Sequence, residues 1–157
     1  MKRIISLLVL SLILIGTVSC GGASSDSDVP TLYVYNWGEY ISDGSDDSVN
    51  VNKKKKKWYL ETYGKEIKVN YSTYSSNEDM YSKLSSGAVS YDVVIPSDYM
   101  IERMIKEDML AELNMENIPN AQYIKPEFKG EGAYYDPDGK FSVPYTYGMV
   151  GIIYNKE

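Results

Sequence analysis

The sequence predicts an α/β fold, a parallel-rich sheet with flanking helices. Three observations carry that expectation. Beyond residue 30, short apolar runs alternate with longer helix-patterned stretches three times. The apolar runs near 32–35 and 91–95 each open at once into a loop of aromatic and polar side chains. The chain left after the N-terminal segment suffices for one modest domain.

Taken in order, residues 31–35 alternate as a first strand that enters Asn36-Trp37-Gly38-Glu39-Tyr40. A helix is expected over 51–63. Residues 66–71 alternate as a second strand. Asn77 then offers a helix cap, with Glu78 and Asp79 in the favourable first turn. That helix is expected to end near Gly87 and to bury Met80, Tyr81 and Leu84. Tyr91-Asp92-Val93-Val94-Ile95 reads as a third, more buried strand. Pro96-Ser97-Asp98 turns into a last helix striped by Met100, Ile101, Met104 and Ile105. In a parallel sheet of this rhythm, ligands sit beyond the carboxyl ends of the strands. Both aromatic-polar loops fall at such ends.

The N-terminus speaks to location. Lys2 and Arg3 precede an apolar and small-residue run over 4–15, then Gly16-Thr17-Val18-Ser19-Cys20. This is the layout of a secretory signal over 1–19 rather than a spanning helix. Cys20 is the only cysteine, so no intramolecular disulfide is possible. Small residues ending in cysteine resemble a bacterial lipobox, which makes Cys20 the expected lipid attachment point. Thr17 departs from the leucine usual there. Residues 20–30 are largely glycine, serine and aspartate and read as a flexible tether to a membrane-anchored, exported domain.

Composition excludes several classes. The chain carries 16 basic and 22 acidic residues, a net charge of −6, and losing Lys2 and Arg3 with the signal makes it more acidic still. Nucleic acid is not an expected partner, and a cationic ligand suits such a surface. There is no histidine. That removes the usual general base, the commonest transition-metal ligand and every Ser/His or Cys/His nucleophile pair. Asp43-Gly44-Ser45-Asp46-Asp47-Ser48 begins like a calcium loop, but its sixth position is Ser48 and its twelfth Lys54. A turn whose aspartates satisfy their own backbone is the better account. No glycine-rich phosphate cradle is present, and no cofactor or metal is expected.

The loops themselves suggest an amine. Tryptophan and tyrosine faces attract ammonium groups, each contact contributing roughly 0.5–2 kcal/mol, and a carboxylate accepts a charge-assisted hydrogen bond. Trp37, Glu39 and Tyr40 supply these groups after the first strand. The alternative is a core tryptophan beside a solvated glutamate. At this point the chain resembles the polyamine-binding proteins of bacterial ABC importers, the spermidine/putrescine receptors. The motifs are Tyr35-Asn36-Trp37-Gly38-Glu39-Tyr40, Tyr71 to Leu84, Tyr91-Asp92-Val93-Val94-Ile95-Pro96-Ser97-Asp98-Tyr99, and Ser142-Val143-Pro144-Tyr145-Thr146-Tyr147-Gly148.

The resemblance implies a type II periplasmic-binding-protein-like lobe and a non-enzymatic receptor that closes over a polyamine and delivers it to a membrane permease. Carried over by position, Trp37, Glu39 and Tyr40 would form one side of the cleft, with Ser97 and Tyr99 beside them. Asp98 is attractive for an ammonium ion, although an aspartate before a helical stripe more often caps the helix. A tyrosine after a strand, such as Tyr74, is usually packing. Such receptors are longer. The expectation is therefore that 31–140 forms the first part of the N-terminal lobe and 141–157 the crossover toward a second lobe, truncating the site. Which polyamine is preferred is not readable from these residues.

The five consecutive lysines at 53–57 fit no amphipathic helix. A stripe through Val51, Trp58 and Thr62 would turn Lys54 or Lys55 toward the sheet, unless the helix shifts or the lysine snorkels. A basic run in an acidic chain reads as a solvated, frayed segment ahead of any phospholipid or nucleic-acid site. Two rival functions stay open: an exported sugar-binding or adhesion lipoprotein, and a glycosidase using Glu39 and Asp98, which would need its carboxyl groups roughly 5–5.5 Å apart if retaining.

Overall fold

The computed structural model describes residues 29–156, so the expected signal, Cys20 and most of the tether lie outside the described residues. Three strands form one sheet in the order β2-β1-β3, all parallel. β1 (Thr31–Trp37) pairs along its whole length with β2 (Lys68–Tyr74), from Thr31 against Lys68 to Trp37 against Tyr74. On its other side β1 meets β3 (Val93–Val94) through Val34 and Tyr35. Parallel neighbours need crossovers, and these are helix α1 (Val51–Tyr63) between β1 and β2 and helix α2 (Asn77–Ser85) between β2 and β3. Helix α3 (Asp98–Lys106) comes after β3.

The helices start and stop where local chemistry dictates. Asn50 accepts a hydrogen bond from the Lys53 amide at 2.7 Å and so caps α1. Gly64 ends that helix in the left-handed region at φ 64°, where a side chain would be strained. At α2 the cap is Ser76, whose Oγ accepts from the Asp79 amide at 3.1 Å. This corrects the assignment of Asn77, which occupies the first helical position and is buried. Two small polar residues stood side by side, and the chain used the one whose backbone was still extended.

Two strand expectations also need correction. β2 starts later than expected and runs on to Tyr74, because pairing with all seven residues of β1 carries it further. β3 is not more buried: it is two residues long, and Val93 is 42% exposed. Its apolar composition suited an interior strand, but it lies at the edge of the sheet. The Asp92 carboxylate accepts the Tyr33 amide at 2.7 Å there, and the Asp92 amide donates to the Tyr33 carbonyl at 3.0 Å.

The core is small and built of soft or aromatic side chains. Tyr35, Tyr74, Met80, Met100 and Met104 form its buried cluster, with Trp37, Tyr81, Leu84, Tyr91, Val94, Met109 and Leu110 packed against it. The Tyr35 ring stacks on Tyr91 at 4.4 Å and meets Tyr74 edge-on at 5.0 Å. Met100 and Met104, one turn apart, are the buried part of the stripe expected for α3, while Ile101 and Ile105 are half-buried.

Helix α1 keeps its lysine run in solvent, as expected, but is not frayed. None of its residues is buried, and Lys53 to Lys57 are all exposed. The helix turns Asn52 and Tyr59 toward the sheet instead of the Val51, Trp58 and Thr62 stripe, so no lysine is buried and Trp58 stays 46% and Val51 42% exposed. It is nevertheless continuous and capped at both ends.

Beyond α3 the chain forms short 3-10 turns at Met115–Asn117, Pro119–Tyr123, Pro126–Phe128 and Gly130–Ala133. Gly132 is required here, since a Cβ would stand 2.1 Å from the Glu127 carbonyl oxygen. Asp136 organises the turn over residues 137–142. Its carboxylate accepts from the amides of Lys140, Phe141 and Ser142 and from the Ser142 hydroxyl, at 2.8 to 3.1 Å. Burial alone would push this carboxyl up. The Phe141 amide, with the Ser142 and Lys140 donors, outweighs it and holds Asp136 below the usual carboxylate range. Residues 143–156 have no regular structure, and Met149, Val150, Ile152 and Ile153 are more than nine-tenths exposed. Among the described residues no helix is long and apolar enough to cross a membrane.

Candidate functional site

The site is built where the three parallel strands end. β1 delivers Trp37 and then turns through Gly38, Glu39 and Tyr40. The turn is anchored by Asn36, which is only 1% exposed. The Asn36 side-chain oxygen accepts the Trp37 amide at 2.7 Å, and its NH2 group donates to the Tyr71 hydroxyl at 2.9 Å. A buried amide left unpaired would cost roughly 1–3 kcal/mol, so these bonds fix the strand end. The Trp37 ring is half-buried, 4.8 Å from Tyr74 and 6.1 Å from Tyr40. Glu39 is exposed and makes no hydrogen bond or ion pair with any described residue. Tyr40 is 47% exposed, and its carbonyl accepts a hydrogen bond from the Tyr145 hydroxyl, which ties residue 145 to this loop.

The second loop comes after β3. Ser97 is the N-cap position of α3 but makes no side-chain cap bond. Asp98 is therefore not the cap; it sits in the first turn, where a carboxylate suits the helix dipole. One Asp98 oxygen accepts the Tyr99 amide at 2.8 Å and the other accepts the Tyr134 hydroxyl at 3.0 Å. That bond to Asp98 raises the Tyr134 phenol above its ordinary value. The Tyr99 hydroxyl donates to Glu78 at 2.9 Å and accepts from the Asn77 NH2 group at 2.8 Å.

Tyr74 and Asn77 join the two loops. The Tyr74 ring touches Trp37, and its hydroxyl donates to the Ile95 carbonyl at 2.5 Å, one residue before Pro96. Asn77 accepts the Ser97 amide at 3.2 Å while donating to Tyr99. Burial and the nearby Tyr35 hold the Tyr74 phenol well above its usual value, so it stays neutral and acts as packing and spacer. Trp37 and Tyr40 are brought together, as are Asp98 and Tyr99. No ring contact, ion pair or hydrogen bond links Glu39 or Tyr40 to Ser97, Asp98 or Tyr99 among the described residues.

Sequence reasoning missed Asn36, Asn77 and Tyr134. An asparagine inside a strand is unfavourable, and that was the available signal for Asn36. Nothing local marked Tyr134, which reaches Asp98 from 36 residues away. Replacing Asn77 by alanine is expected to cost about 1–3 kcal/mol, because the Ser97 amide and the Tyr99 hydroxyl lose a partner together. Hydrogen exchange would check it. The Ser97 amide should lose protection first; unchanged protection would show that Asn77 does not hold the loop.

The aspartate-rich loop at 43–48 behaves as the turn expected from its sequence. Asp43 accepts the Ser45 amide at 2.9 Å, and the Ser48 hydroxyl accepts the Gly44 amide at 3.2 Å. Among the described residues no group of three carboxylates, thiols or imidazoles is placed to hold a metal ion.

No family model matches the chain. It is 38% identical over 148 residues to the spermidine/putrescine-binding periplasmic protein of Salmonella typhimurium, covering 90% of this chain and 37% of that protein. It is 33% identical over 150 residues to the putrescine-binding periplasmic protein SpuD of Pseudomonas aeruginosa, covering 94% and 36%. Among solved structures it resembles the spermidine/putrescine ABC transporter substrate-binding protein of Streptococcus pneumoniae, with TM-score 0.57 and 38% identity over 74% of this chain and 32% of that one. The Tp0655 lipoprotein of Treponema pallidum matches with TM-score 0.58 and 35% identity, covering 74% and 32%. The chain thus spans little more than a third of the length of these curated relatives, and its parallel sheet with flanking helices is part of a type II lobe. In sequence and in fold this chain thus matches part of the polyamine-binding proteins of bacterial ABC transporters.

Proposed function

We propose that this chain is part of the extracytoplasmic receptor of a polyamine ABC importer and takes up one amine end of spermidine or putrescine at its strand-end loops. The observation that carries the reading is an exposed carboxylate without a partner among the described residues, Glu39, two residues after a half-buried tryptophan that packs on two tyrosines. An ammonium group could lie against the Trp37 and Tyr40 faces and donate to Glu39. Ser97, Asp98 and Tyr99 would form the adjoining wall, joined to Trp37 through Tyr74 and Asn77. Each Asp98 oxygen keeps a free lone pair beside its bond to Tyr99 or Tyr134, so it can still accept from a ligand. The receptor is not an enzyme, and its periplasmic relatives support export.

The remaining assignments belong to the same reading. Residues 1–19 are the signal, Cys20 the lipid attachment and 20–30 the tether. Residues 31–140 are the first part of a lobe. The 141–157 segment is a crossover whose exposed apolar side chains a second lobe would cover, and the membrane permease is the partner in delivery.

The groups on these two loops set the affinity that the described residues supply. Micromolar binding needs about 8 kcal/mol. One carboxylate contact of roughly 1.5–3 kcal/mol and two aromatic faces of roughly 0.5–1 each fall short once association entropy is subtracted. Millimolar affinity is expected for this chain alone. Thermal melts with spermidine, and with a neutral oligosaccharide as control, test the reading. Stabilisation by spermidine alone is expected, and Trp37→Ala or Glu39→Ala should abolish it. A response to the sugar with indifference to spermidine would favour the sugar-binding alternative instead.

A further inference from the structure

Helix α1 contributes no buried residue to the core, yet it is continuous and capped at both ends. Only Asn52 and Tyr59 are half-buried, and they mark the side that lies toward the sheet. Successive residues turn by about 100°. The outward half therefore carries Lys53, Lys54 and Lys57 with Glu61 near its centre, and Leu60 and Trp58 lie along its two margins, each 46% exposed. One lysine of the helix, Lys57, is offset by Glu61 at 3.7 Å. The Lys55 ammonium lies 4.3 Å from the centre of the Trp58 ring.

We propose that the outward face of α1 docks on an anionic phospholipid surface. Charge complementarity selects this occupant. Five lysines and one glutamate stand on a single helix of a chain whose net charge is −6. Charges more than about 8 Å away are screened at physiological salt, so an approaching surface senses the helix rather than the acidic whole. A nucleic acid would need basic residues tracking its path over the molecule. Here the consecutive lysines lie on one helix some 20 Å long, and the other basic residues are interspersed among a larger number of acids. Tryptophan and leucine flanking lysines suit the headgroup boundary, where aromatic rings and aliphatic side chains bury while ammonium groups meet phosphates. The inference is independent of polyamine binding and of lipidation at Cys20.

Sedimentation of the full chain with phosphatidylcholine vesicles, with and without phosphatidylglycerol, tests it. Binding should favour the anionic vesicles and weaken as salt rises. The triple variant Lys53→Glu, Lys54→Glu, Lys57→Glu should weaken that binding by at least about tenfold, since each lysine near such a surface contributes about fivefold. The corresponding triple arginine variant should retain it. Equal binding to both vesicle types would overturn the proposal, as would undiminished binding by the glutamate variant. A preference for a double-stranded oligonucleotide over anionic vesicles would also overturn it. Should the glutamate variant lose its helical circular dichroism, the lipid-charge preference and salt dependence of the unmodified chain decide.

Discussion

Met80→Ala is expected to lower the stability of the folded chain by about 2–5 kcal/mol, the range for truncating a buried methionine without full collapse of the cavity. Met80 is completely buried and belongs to a cluster of only five buried residues. Its neighbours cannot move in easily, because Tyr35 is held between Tyr91 and Tyr74, and Tyr74 is tied to the Ile95 carbonyl. A domain with so small a core sits near the low end of the usual 5–15 kcal/mol, so the loss approaches the whole. Urea titration followed by circular dichroism measures it. Met80→Leu, close to isosteric, should cost less than about 1.5 kcal/mol. Equal, small losses for both variants would mean that the core is not centred on this residue.

Asp136→Asn should cost about 2–3 kcal/mol near neutral pH, with a distinctive acid profile. An asparagine keeps one acceptor oxygen but loses the charge that four donors converge on. The Asp136 carboxyl is held below the usual range in the folded chain, so its stabilisation is fully present above the unfolded value of about 3.9. It is lost as pH falls through the lower folded value. The stability gap between the two proteins should therefore be constant from pH 7 to roughly 4.5 and close below about pH 4. A gap of unchanged size in strong acid would show that shape rather than charge holds the segment. Because Asp136 precedes 143–156, and Tyr145 of that segment reaches the Tyr40 carbonyl, the same substitution should also loosen the first loop.

Much of the fold was legible because its signals are local. The α1 boundaries at 51 and 63 matched expectation, since Asn50 and Gly64 act through their own backbone neighbourhood. The three strands and their parallel direction were readable in the repeating rhythm, but not their order in the sheet. The burial of β3 was misjudged because Val93 and Val94 look the same to a sequence whether a fourth strand covers them or not. Asn77 was misread because capping propensity ranks Ser and Asn together, and only the contact with Ser97 and Tyr99 separates their roles. For the lysine run, periodicity left open whether Lys54 or Lys55 would turn toward the sheet, the helix shift or a lysine snorkel, and only the packed structure chose among them.

The candidate site divides in the same way. The aromatic and acidic character of the 37–40 and 97–99 loops, and their place at strand ends, were determined by the sequence, because residue type and strand rhythm are both properties of neighbours along the chain. Tertiary structure alone decided that Glu39 has no partner among the described residues while Asp98 binds Tyr134, and that Tyr74 and Asn77 connect the two loops. It also decided that Trp58 faces solvent while Trp37 packs. These depend on contacts across 20 or more residues, made only once the sheet has closed, and no local pattern encodes them.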